Sequence, residues 1–92
     1  MSNVLPKRIK IPDDVIWQEL GDEVVLLNLG NEHYYELNRV GTRMWQLLAE
    51  ERDAEAILAQ MMNEFDVPEM TLRHDLAQLI GDLQRAHLIT TE

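Results

Sequence analysis

The stretch that decides the fold reads Val15-Ile16-Trp17-Gln18-Glu19-Leu20, Gly21-Asp22-Glu23, Val24-Val25-Leu26-Leu27-Asn28-Leu29, Gly30-Asn31-Glu32, His33-Tyr34-Tyr35-Glu36-Leu37. Three runs of β-branched, bulky and aromatic residues are separated by two clusters of turn residues, and each run is too short for a helix. The reading is a three-stranded antiparallel meander. In its third strand the adjacent tyrosines must point to opposite faces. If the strands pair in order, His33 to Leu37 lies at an edge, with unpaired backbone groups unless the N-terminal arm or a partner covers them.

Working forward from that strand, Asn38 changes the period. It is a good N-cap, and Val40, Met44, Leu47 and Leu48 mark one face of a helix running to about Ala49, with Trp45 flanking the stripe. Glu50-Glu51-Arg52 is a polar break. Asp53 then caps a second helix carrying Ala54, Ile57, Leu58, Met61, Met62 and Phe65. Asp66-Val67-Pro68-Glu69 resembles a capping box with Asp66 as N-cap, opening a third helix that carries Leu72, Leu76, Leu79, Ile80 and Leu83 and fades near Ala86. Three strands followed by three helices predict an α+β domain, one face of the meander covered by a three-helix bundle. Leu88-Ile89 closes the chain against the core.

Working backward, residues 1–12 show no sustained period. With Pro6 and Pro12 around Lys7, Arg8 and Lys10, they read as a flexible basic arm preceding a domain over 13–92. Ninety-two residues allow only one small core. The composition, 46% hydrophobic and 27% charged, is that of a folding chain and not a disordered one. Without cysteine there is no disulfide framework or thiol nucleophile, and with no signal-peptide block or membrane-length apolar run the expected location is the cytoplasm. The formal charge is −9, although three of the eight basic residues sit in the arm, so the body is strongly acidic and repels phosphate backbones.

Candidate chemistries are sparse. His33, His74 and His87 match no compact metal spacing, the carboxylate runs Asp13-Asp14 and Glu50-Glu51 fall in loops, and the one serine, Ser2, lies in the arm. No Gly-rich loop precedes a helix. The expectation is therefore no catalytic residue, no metal and no cofactor, and a chain that is not an enzyme.

One constellation is recognisable as a whole: Val25-Leu26-Leu27-Asn28-Leu29, then Tyr34-Tyr35-Glu36-Leu37-Asn38, Gly41, Met44-Trp45-Gln46-Leu47-Leu48, and downstream Leu72-Arg73-His74-Asp75-Leu76 with Leu83 and Leu88-Ile89. It resembles the PqqD-like family over about Val15 to Ile89. Two positions depart from the family pattern: Glu32 and His87 stand where glycine is frequent. The resemblance implies a winged helix-turn-helix-like domain that binds the leader segment of a ribosomally made precursor peptide. It also implies that the domain presents this peptide to a modifying enzyme such as a radical-SAM enzyme, a protease or a cyclase. It implies that the leader adds as a strand beside His33, Tyr34, Tyr35, Glu36 and Leu37, in a cleft walled by the third helix. On that helix the expected wall is Leu76 and Ile80, flanked by Arg73 and Ala77, while Leu72, Leu79 and Leu83 hold the helix to the bundle.

Two other functions suit the same architecture. A winged-helix nucleic-acid binder needs a basic recognition helix, whereas the third helix sets Arg73 and Arg85 against Asp75 and Asp82. A subunit that only stabilises a partner enzyme would bind that enzyme without affinity for a leader. The open edge also permits a homodimer through the third strand.

Overall fold

The computed structural model describes residues 5–50 and 53–91. A three-stranded antiparallel sheet, β2 (Val15–Leu20), β3 (Glu23–Asn28) and β4 (Tyr34–Leu37), is followed by α1 (Arg39–Ala49), α2 (Ala54–Glu64) and α3 (Glu69–Arg85). A separate two-stranded ribbon joins β1 (Ile9–Lys10) to β5 (Thr90–Thr91). The sheet order β2-β3-β4 is the expected meander, with β4 at one edge.

The pleat sorts the side chains. Val24, Leu26 and Asn28 of β3 alternate inward, together with Val15 of β2 and Leu37 of β4, and all are buried. On the other face Ile16, Leu20 and Tyr34 stay exposed. The helices complete the core over the inner face with Met44, Trp45, Leu47 and Leu48 from α1, Ile57, Leu58 and Met61 from α2, and Leu72, Leu76, Ile80 and Leu83 from α3. Each such side chain, removed wholly from water, contributes about 1.5–3 kcal/mol. Trp17 covers Trp45 edge-on, with ring centroids 5.3 Å apart.

Asn38 and Asp53 cap α1 and α2 as expected, their side chains accepting from the amides of Gly41 (2.9 Å) and Ala56 (2.7 Å). The third cap differs. Pro68, not Asp66, is the N-cap of α3, with no side-chain cap bond. The proline ring disfavours helical geometry at Val67 before it, so the helix cannot start until the proline has passed.

The expected arm is partly structured. Residues 1–4 lie outside the described residues, but Leu5 is buried, and Ile9 and Lys10 pair with Thr91 and Thr90. A pairing between the two ends of a chain leaves no local period to read.

The two departures from the family pattern share one backbone state. Glu32 has φ 63° and His87 has φ 60°, both in the left-handed region where glycine is strain-free. His87 ends α3 in a Schellman turn: its amide donates to the Gln84 carbonyl (3.1 Å), and the Leu88 amide donates to the Leu83 carbonyl (2.8 Å). Asn28 ties the two strained turns together. Its side-chain oxygen accepts from Gly30 N (2.8 Å), its backbone carbonyl accepts from Glu32 N (2.8 Å), and its Nδ2 donates to the His87 carbonyl (2.6 Å). His87→Gly is expected to relieve about 1 kcal/mol of backbone strain, less the extra freedom glycine gives the unfolded chain. A thermal melt should show a modest rise in Tm; a fall would mean that the His87 side chain makes a stabilising contact that outweighs the strain.

Candidate functional site

The outer edge of β4 is open, and the ladder says which of its groups face outward. The Asn28 amide donates to the His33 carbonyl (2.9 Å), so these two residues form a hydrogen-bonded pair. In antiparallel sheets such pairs alternate with non-bonded ones. With Leu27 opposite Tyr34, Leu26 opposite Tyr35, Val25 opposite Glu36 and Val24 opposite Leu37, the backbones of Tyr35 and Leu37 serve β3. The N–H and C=O of Tyr34 and Glu36 therefore point away from the sheet, free to take another strand.

A groove of about 410 Å³ runs beside this edge. Tyr35, Glu36 and Leu37 form one bank; Asp75, Gln78, Leu79 and Asp82 of α3 form the other. Val40 and Met44 of α1 lie between them. Tyr35 bridges the banks, its hydroxyl donating to Asp82 Oδ2 at 3.3 Å, and Arg85 donates to the other oxygen of the same carboxylate. Burial holds the Tyr35 phenol above the usual tyrosine range, and the adjacent Asp82 charge adds to the effect, since a phenolate would be poorly solvated and repelled there.

The strand side of the expected site and the helix side fare differently. Tyr34, Tyr35, Glu36 and Leu37 make up β4, with His33 exposed just before it. Tyr34 is exposed and Tyr35 half-buried, facing the groove. On α3 the expected wall needs correction. Leu76 (0% exposed) and Ile80 (4%) point into the core, and Leu79, assigned to the bundle, lines the groove instead. Ala77 faces a different hollow, beside Leu5, Pro6 and Thr91. Arg73 reaches across to α2, donating to both carboxylate oxygens of Glu55 (2.8 and 3.1 Å) and to Glu69 (3.2 Å). These bonds hold its guanidinium more basic than usual and, for Glu55, pull the carboxyl below the usual range.

Helical geometry explains the difference. At about 100° per residue, Leu72, Leu76, Ile80 and Leu83 share one stripe; Asp75, Gln78 and Asp82 flank it on one side and Arg73 and Ala77 on the other. The apolar positions of α3 cover more than one stripe, so their spacing alone does not tell which flank meets β4. The polar residues Asp75, Gln78 and Asp82 carried the missing signal, since they recur every three or four residues beside the apolar row.

Both α3 arginines are engaged with carboxylates, Arg73 with Glu55 and Glu69 and Arg85 with Asp82, which leaves the helix unlike a phosphate-tracking surface. Among the described residues no group of three His, Cys, Asp or Glu is placed to hold a metal ion, and no helix is long and apolar enough to cross a membrane.

The solved structures include two close matches to this geometry. One, described as TbiB1 in complex with the TbiA(beta) leader peptide, is 36% identical, with a TM-score of 0.83 over 87% of this chain and 93% of that one. The other, a lasso peptide synthetase B1 complexed with the leader peptide, shares the fold at 17% identity, with a TM-score of 0.80 over 89% of this chain and 96% of that one. The curated proteins contain no match. Residues 23–89, from the start of β3 to the turn after α3, match the family described as coenzyme PQQ synthesis protein D, and the chain belongs to that PqqD family.

Proposed function

We propose that this chain is a peptide recognition element: it binds the leader segment of a ribosomally made precursor peptide as a fourth strand on β4 and presents that peptide to a modifying enzyme in the cytoplasm. The observation that carries the reading is the outward pair of backbone groups at Tyr34 and Glu36, set above a groove walled by α3. Strand addition takes affinity from such main-chain groups and selectivity from side-chain pockets. The 36% identical TbiB1, solved with a leader peptide, supports the same use of this fold. Bond making and breaking belong to the partner enzyme; the domain supplies binding and position.

On this reading the contacting residues are Tyr34, Tyr35, Glu36 and Leu37 on the strand side and Asp75, Gln78, Leu79 and Asp82 on the helix side. The test is an amide-detected NMR titration of the full chain with a synthetic leader of its cognate precursor peptide. Shifts are expected in residues 33–37 and 75–82, with α2 nearly silent. Shifts confined to α2, or none at saturating peptide, would refute the proposal.

A further inference from the structure

We infer that the groove selects an extended peptide bearing a Lys or Arg side chain two residues from an apolar one, the cation meeting Asp75 and the apolar side chain meeting Leu79. This rests on the strand-addition reading and deepens it to a sequence requirement on the peptide. Asp75, Leu79 and Asp82 form one row along the helix bank. The Asp82 carboxylate is already occupied by the Tyr35 hydroxyl and by Arg85. Asp75 is exposed at the groove and, among the described residues, makes no hydrogen bond or ion pair. Among the described residues no Lys, Arg or His lines the groove, so an acidic peptide side chain entering beside Asp75 would meet repulsion.

The spacing sets the pattern. Four helical residues separate Asp75 from Leu79, a rise of about 6 Å. Side chains on one face of an added strand repeat every second residue, about 6.8 Å. On an added strand the residues opposite Tyr34 and Glu36 share their outward face and the alternate ones face the groove, so a peptide that sets a cation by Asp75 brings its next groove-facing side chain within reach of Leu79, in the groove that Val40 and Met44 also line. The residue between them points to the open face.

The experiment is calorimetric titration of the full chain with the synthetic N-terminal segment of its cognate precursor peptide, and with copies in which each Lys or Arg is replaced singly by Glu. One replacement should weaken binding by about tenfold. Asp75→Asn should weaken the unmodified peptide by about fivefold and flatten the salt dependence of its affinity. Asp75→Lys should weaken it further and restore binding of the one Glu-substituted copy. Asp66→Asn, which removes the same charge away from the groove, should change nothing. If both Asp75 variants bind the unmodified peptide as the wild type does, the selectivity inference falls while strand addition stands. If the wild type does not bind the segment at all, both fall together.

Discussion

Replacing Leu76 with Asp is expected to unfold the domain. The side chain is wholly buried among the α3 residues that hold this helix to the bundle. Leu→Ala at such a site costs about 2–5 kcal/mol, and an unpaired carboxylate there adds a desolvation penalty of several more. Since a domain of this size has only about 5–15 kcal/mol in total, the variant should lose its cooperative melt and its helical circular dichroism. The contrast is Leu79→Asp, three residues on. Leu79 is half-buried on the groove bank, where a carboxylate keeps contact with water. That variant should fold with a lowered Tm and bind leader peptide more than tenfold more weakly, a loss of at least about 1.4 kcal/mol. A folded Leu76→Asp protein would show that α3 is held by less than its burial implies, and unchanged leader affinity in Leu79→Asp would remove α3 from the site.

The second large effect separates the two adjacent tyrosines. Tyr35 faces Leu26 in a hydrogen-bonded pair, so Tyr35→Pro deletes a donor from inside the ladder and leaves a β3 carbonyl unsatisfied, at about 1–3 kcal/mol. It also removes the hydroxyl that donates to Asp82 and the half-buried ring. The expected result is a severely destabilised protein. Tyr34→Pro removes a donor that points outward from an edge strand, a position where a sheet tolerates proline. The protein should stay folded with a Tm near that of the wild type, yet lose the main-chain bond to an added strand and bind leader about fivefold more weakly. Comparing the two melting curves and the two leader titrations checks the assignment. Reversed behaviour would mean that the register of β3 on β4 is shifted by one residue.

The separation between these substitutions also marks where local sequence stops being sufficient. Period two, turn residues and the caps Asn38 and Asp53 are local chemistry, written within a few residues of one another. They determined the meander, the helix order, the two opposite faces of Tyr34 and Tyr35, and the existence of an open edge. The family resemblance added the leader-binding expectation through its spacing of Tyr34-Tyr35-Glu36-Leu37-Asn38, Gly41 and Trp45. It also marked Glu32 and His87 as unusual, and the structure finds both at positive φ.

What only the tertiary structure decided is every question in which two distant segments compete for one surface. Whether Tyr34 or Tyr35 offers its backbone depends on the β3 register, fixed by the Asn28 to His33 bond. Which flank of α3 faces β4 depends on how the whole helix rolls against α1 and α2. The roll that buries Leu72, Leu76, Ile80 and Leu83 together places Leu79, Asp75 and Asp82 on the groove and turns Arg73 toward Glu55. The pairing of β1 with β5 has the same character. Periodicity specifies that a helix has an apolar stripe; the rotation of that stripe is set by summed burial across the core, a property of all the elements at once and of no single window of sequence.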